Sequence, residues 1–295
     1  MPSDNIYQEQ KIPTQWERSR QDFRSNSLAM FGLWCLSLTL ILTLSAHWLA
    51  PYLPHLQVGE LLMPPSWDQS GHVEFFFGTD DLGRDILSRL LIGSQLTFGY
   101  ALLVAFASSV IGIIIGVLAG MTRGLKSSIL NHILDTVLSI PSLLLAIIVV
   151  AYMGPGENNI LLAIWLALIP RFIRAIYTAV HNEVEKDYII AARLDGANNF
   201  YLLYHSILPN ILTTITTEIT RAISIAILDI AALGFLGLGA QAPSSEWGAM
   251  LGDSVELIYI APWTVTLPGL AIMFSVLIVN LVGEGLRQAL NAGID

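Results

Sequence analysis

The chain has 295 residues, of which 54% are apolar and only 13% charged, and its mean hydropathy is +0.63. A soluble domain is about one quarter charged, so this much apolar surface cannot all be hidden inside one molecule, and part of its solvent must be lipid. The net charge of −9 comes with no basic, aromatic-interleaved stretch of the kind that binds nucleic acid, and a single cysteine, Cys35, excludes a disulfide framework within the chain.

Crossing about 30 Å of hydrocarbon takes about 20 mostly apolar residues. The polar segment 1–27 leads into a first span over 28–50. That leading segment carries Asp4, Glu9, Glu17 and Asp22, unlike the short basic start of a cleaved signal, so the first span reads as an anchor. Residues 51–96 follow as an outer segment rich in proline and aromatics, closing with FGTDDLGRDILSRLLIG. Gly83 suits a turn there, and Asp85 and Arg89, four apart, are expected to pair on one helix face for a few tenths of a kcal/mol.

A second span over 97–120 repeats Gly112, Gly116 and Gly120 every four residues, a small-residue face along which helices pack closely. The third, over 133–153, contains Pro141, which removes a helix hydrogen bond and should bend it, with or without a gating role. A fourth, over 160–177, is crowded at its end by Pro170, Arg171 and Arg174. The polar loop 178–210 precedes a fifth span over 211–235, which holds Glu218, Arg221 and Asp229. Intramembrane charges are costly and usually face a cavity or one another. Glu218 and Arg221, three apart, can pair along the helix, whereas Asp229 lies about 16 Å further along the axis. Either these groups line a pathway favouring cationic cargo, or they form an internal ion pair with an interfacial aspartate. An outer segment over 239–264, with Pro243, Trp247, Pro262 and Trp263, suits an interfacial aromatic belt. The sixth span covers 265–285, and 286–295 forms a tail, so 97–285 reads as a five-helix core.

This makes an all-α polytopic membrane protein of six transmembrane helices. With both termini in the cytoplasm, Lys11, Arg18, Arg20, Arg24, Arg123, Lys126, Arg171, Arg174, Lys186, Arg193 and Arg287 lie inside. Only Arg84 and Arg89 lie outside and Arg221 falls in a span, which satisfies the positive-inside rule. The 178–210 loop is then cytoplasmic. In it Tyr188, Ala191, Ala192, Phe200, Leu203, Tyr204 and Ile207 recur at near-helical spacing, which reads as one or two short helices, and Gly196 interrupts them where a turn between two pieces is allowed. Alanines on an exposed helix let another protein's backbone approach; the alternative is an amphipathic loop lying on the membrane surface.

The run DYIIAARLDGANNFYLLYHSILPN resembles the cytoplasmic signature of bacterial ABC-transporter permeases, with Ala191, Ala192, Gly196, Ile207, Leu208 and Pro209 at the matching positions and Tyr188 just before them. The sequence departs at Ile190, where the pattern has a glutamate. GTDDLGRDILSRLLIGSQLTF, SIPSLLLAI, GFLGLG, EWGAML and PWTVTLPGLAI are similar to stretches of the C-subunit permeases of dipeptide and oligopeptide transporters, in order from about residue 75 to 285. The resemblance implies a type I ABC-importer permease with a coupling helix seated in an ATPase subunit, and it includes an acidic residue at the Asp229 position. It further implies a second permease subunit, two ATP-binding subunits that hold ATP and magnesium, a periplasmic binding protein, and residence in a Gram-negative inner membrane. The expected function is peptide uptake linked to resistance to antimicrobial peptides. The alternatives are polyamine export and a proton-coupled secondary transporter. The chain has no GxxxxGK[ST] phosphate loop, no Cys/His metal cluster and no nucleophile elbow, so no catalytic residue and no bound cofactor are expected.

Overall fold

The computed structural model describes residues 14–122 and 125–292. Among these the chain is helical, with an isolated antiparallel bridge between Thr79 and Asp85 and no named strand. A short polar helix, α1 (Gln15–Ser25), is closed at its start by a reciprocal Thr14–Glu17 capping box. Asn26 ends α1 and caps α2 (Ser27–Leu49), accepting from the amides of Leu28 and Ala29 at 3.1 Å. After the irregular outer segment, α3 (Ile86–Ser94) passes through a π-helical turn, Gln95–Gly99, into α4 (Tyr100–Gly120). Together they make one apolar rod, Ile86–Gly120, eleven residues longer at its start than the predicted second span.

The predicted third span is two helices. α5 (Leu125–Leu138) and α6 (Ser142–Met153) meet at 83°. Pro141 therefore does not bend a continuous helix: it stands in extended conformation before α6, and its ring keeps the preceding residue out of helical geometry. α7 (Glu157–Val184) runs through Pro170, Arg171 and Arg174 without a break, so these residues do not end the fourth helix. α8 (Asp187–Leu194) and α9 (Asn199–Leu202) form the polar loop, and a π-helical turn, Leu203–Ile207, enters α10 (Leu208–Phe235). α11 (Trp247–Ser254) and α12 (Trp263–Ala292) complete the chain.

Four of these helices are long and apolar enough to cross a membrane: α2, the α3–α4 rod, α7 and α12; the bent α5–α6 pair would make a fifth. α10 has 28 residues and is about 42 Å long, but its Glu218, Arg221 and Asp229 keep it out of that apolar class. The chain is a multi-pass membrane protein. Its main core joins Phe98, Val104, Ile164, Phe172, Ile227 and Leu233 across α4, α7 and α10. The glycine stripe positions α4 on α7: a Cβ at Gly116 or Gly120 would stand 2.7 Å from the Cβ of Ile176 or Val180, and one at Gly112 would overlap Phe172. Only hydrogen at these positions permits so close an approach.

Candidate functional site

Three groups of side chains stand out along α10. At its Leu208 end lies the polar loop. Ile189, Leu202 and Ile207 are fully buried and pack with Ile176, Val180 and Val184 of α7, so a small core of their own holds the loop against the helix bundle. The loop's other face is the reverse: Leu194, Phe200 and Tyr204 are 84%, 76% and 64% exposed. Exposed apolar residues grouped on one element mark a contact surface. Ala191 and Gly196 share this exposure and Ala192 is half-buried. Gly196 has φ +93, a left-handed turn that L side chains rarely adopt, and this turn separates α8 from α9. Pro209 occupies the first turn of α10, where a missing amide hydrogen costs nothing. Ile190, the departure from the signature, is exposed.

Tyr188 ties the loop to two helices. Its hydroxyl donates to the buried Glu183 carboxylate of α7 and accepts from Asn210 Nδ2 of α10 at 2.8 Å. Lys186 Nζ reaches the other Glu183 oxygen at 2.8 Å. Burial, followed by the neighbouring Glu183, pushes the Tyr188 phenol up to about 12. Neither Glu183 nor Asn210 stood out in the sequence, because their partners lie in other elements.

Midway along α10, Arg221 Nη1 donates to Glu218 Oε1 at 2.8 Å. Arg171 of α7 adds a second guanidinium 3.6 Å from Glu218 Oε2, a contact no local spacing signals. Glu218 is buried, whereas both arginine side chains are about half exposed. Asp229 is also buried and accepts from Ser142 Oγ of α6 at 3.3 Å, immediately after Pro141. The two acids therefore sit in separate settings, each on a different neighbouring helix.

At the far end, the outer segments are clasped together. Asp85 does not pair with Arg89, as the spacing predicts; it caps α3, accepting from Ser88 N at 2.8 Å and Ser88 Oγ at 2.6 Å. Capping satisfies free amides that a side-chain pair would leave open. Arg89 instead pairs with Asp80, which also binds Arg84 Nε at 2.6 Å, and all three are at least 96% buried. The turn between Asp80 and Arg84 is made by Gly83 at φ +73. Arg89 Nη2 then donates to Ser244 O at 2.8 Å, Trp247 Nε1 to Leu90 O at 3.0 Å, and Trp263 Nε1 to Thr79 O at 3.2 Å. Glu246 caps α11 through Gly248 N and Ala249 N at 2.8 and 2.7 Å and accepts from Thr97 Oγ1 at 2.7 Å. Burial pushes its carboxyl up, against those hydrogen bonds. The doubled acid Asp80-Asp81 beside Arg84 was the available signal for this network.

The family described as binding-protein-dependent transport system inner membrane component matches residues 112–295, and the N-terminal TM domain of oligopeptide transport permease C matches residues 14–65. The chain is 55% identical over 296 residues to the peptide transport system permease protein SapC of Escherichia coli O6:H1, with 100% of each chain covered. It is 56% identical to the SapC of Salmonella typhimurium, again with 100% of each covered. It is also 44% identical to the dipeptide transport system permease protein DppC of Escherichia coli K12, over 91% of this chain and 90% of that one. Among solved structures, an inward-facing conformation of the MetNI methionine ABC transporter superposes with a TM-score of 0.56 at 19% identity, over 68% of this chain and 96% of that one. The last likeness establishes the fold and nothing about substrate. The family match over most of the chain and the full-length relatives place this protein in the binding-protein-dependent transport system inner membrane component family.

Proposed function

We propose that this chain is one of two permease subunits of a peptide ABC transporter, carrying six spans with both termini in the cytoplasm. α10 and the bent α5–α6 pair supply the two spans beyond the four apolar rods. The observation that carries the reading is the two-sided loop over 186–210: buried on α7 by Ile189, Leu202 and Ile207, it presents Leu194, Phe200 and Tyr204 outward. That face is the seat for an ATP-hydrolysing subunit, through Tyr188, Ala191, Ala192 and Gly196; Ile207, expected in the same seat, is fully buried against α7 and with Leu208 and Pro209 holds the face in place from behind. ATP and magnesium are held by two such subunits, and this chain carries no catalytic residue. Closure of the ATPase pair moves the loop, and alternating access of two packed permease subunits follows. The similarity to full-length proteins named for peptide transport supports a peptide cargo. The clasped outer segments offer a surface to a periplasmic binding protein.

Because the loop is fastened to α7 and α10 together, a displacement at α8 is transmitted to the helices that carry Arg171, Glu218 and Asp229. These groups are the candidate pathway lining. Uptake of basic and neutral peptides by Asp229→Asn and Glu218→Gln variants tests that role: basic peptides should lose more than neutral ones, and unchanged selectivity refutes it. The whole reading is tested in vesicles. The chain should be inert alone, should co-purify with an ATPase, and should transport labelled peptide only with ATP and that partner. Transport by the chain alone under a proton gradient would make it a secondary carrier instead.

A further inference from the structure

α1 lies across α2 and α12 at one end of the bundle. Asn26 Nδ2 donates to Gln288 at 3.1 Å, and Gly285 of α12 makes room for Ala29 and Phe23. Between these helices is an open groove. Trp16 and Phe23 of α1, Met30 and Leu33 of α2, and Leu286 and Leu290 of α12 give it apolar walls. Its rim is basic. Arg20 and Arg24 are exposed, line the groove, and have no ion-pair partner among the described residues, although Arg287 nearby is occupied by Glu284 at 2.6 Å. Ser19, also on the lining, is only 7% exposed, and its Oγ has no hydrogen-bond partner among the described residues. A buried hydroxyl without a partner is uncommon.

Apolar walls and two exposed, uncommitted guanidiniums at the mouth describe a molecule with hydrocarbon chains and an anionic head. We propose that the α1–α2–α12 groove is a binding site for one anionic phospholipid, whose phosphate meets Arg20 and Arg24 and whose acyl chain lies along Leu33, Leu286 and Leu290. The inference needs only that α2 and α12 cross a membrane, which puts α1 at its surface; it does not depend on the cargo or on the ATPase. Charge complementarity selects the ligand: basic pockets beside membrane-spanning helices attract anionic head groups, and an exposed aromatic such as Trp16, 64% exposed, favours the head-group layer. The bound lipid would also pin α1 against α12, joining the start of the chain to its last helix.

Native mass spectrometry of the full-length chain, exchanged against phosphatidylglycerol or phosphatidylcholine with identical acyl chains, tests this. Two guanidiniums near the surface should give roughly 30-fold preference for phosphatidylglycerol. Arg20→Gln with Arg24→Gln, two exposed positions that should not disturb folding, should bring the two lipids to within about threefold. Phosphatidylglycerol brominated in its acyl chains should quench the wild-type tryptophan fluorescence more than that of Trp16→Phe. Equal retention of both lipids, or a preference that survives the double substitution, overturns the proposal. Displacement by inorganic phosphate at equal concentration reduces the site to an anion pocket and overturns it too. Lipid that binds only after deletion of residues 1–13 would assign the groove to the chain's own leading segment.

Discussion

Tyr188 and Asp80 each join helices that the sequence separates. Tyr188→Phe removes the hydroxyl shared by Glu183 and Asn210 and should cost about 1 kcal/mol of stability, together with a larger loss of ATPase-coupled transport, read as the ratio of ATP hydrolysed to peptide moved. The phenol's ordinary value is 10.0 and the fold raises it to about 12, so its protonated form is favoured. The contribution is fully present below pH 10 and lost as pH rises through 12. Difference spectra of tyrosinate between wild type and Tyr188→Phe should therefore rise late, near pH 12, and a transition at 10 would mean that the phenol is neither buried nor held by Glu183. Asp80→Asn removes the only paired carboxylate of the buried Arg89 among the described residues and leaves Arg84 with Asp81 alone, 3.9 Å away; breaking such a group by one partner costs about 3–5 kcal/mol. A thermal melt in detergent checks the size of the drop.

Among the elements, α4 and α7 are fitted by absence of side chains. Gly116→Leu drives a branched side chain into Ile176, 2.7 Å from where its first carbon would stand. Overpacking of this kind costs about 1–3 kcal/mol, and the melting temperature should fall while Gly99→Ala, whose Cβ would have 3.7 Å of clearance, leaves it nearly unchanged. In the loop, Gly196 faces open space yet holds φ +93. Gly196→Pro demands a φ near −65° and should uncouple ATP hydrolysis from transport while leaving membrane insertion intact. Ala192→Trp should act similarly by prising the half-buried α8 off its core; normal coupling in both variants would refute the docking role. Spacing made the glycine face and the Gly196 break legible, since both depend on positions three or four apart. The break at Pro141 was legible as a bend but not as two helices at 83°, because the angle is set by what α6 packs against.

Over the whole molecule, the clasp and the loop stand at opposite ends of α10, about 42 Å apart. Each is closed by long-range contacts: Trp247 covers Gly93 and donates to Leu90, 157 positions earlier. Trp247→Ala should cost about 3–5 kcal/mol and expose the outer segments to protease, with no change in the tyrosinate transition of Tyr188. Since distant sites with no shared partners add to within about 0.5 kcal/mol, the double variant with Tyr188→Phe should show the sum of the two losses. A clear deviation would reveal that α10 transmits strain between its ends.

The sequence by itself determined the apolar rods, the small-residue face at Gly112, Gly116 and Gly120, the Glu218–Arg221 pair and the family. These are properties of composition and of residues within one helical turn, where backbone geometry fixes the neighbours. Only the tertiary structure decided that Arg89 answers to Asp80 rather than Asp85, that Arg171 joins Glu218, that Ser142 meets Asp229, and that Trp16, Arg20 and Leu286 share a groove. Each of those arrangements joins elements that no backbone repeat makes neighbours: one crosses the Asp80–Arg84 turn, and the rest depend on helix packing that the order of residues does not state.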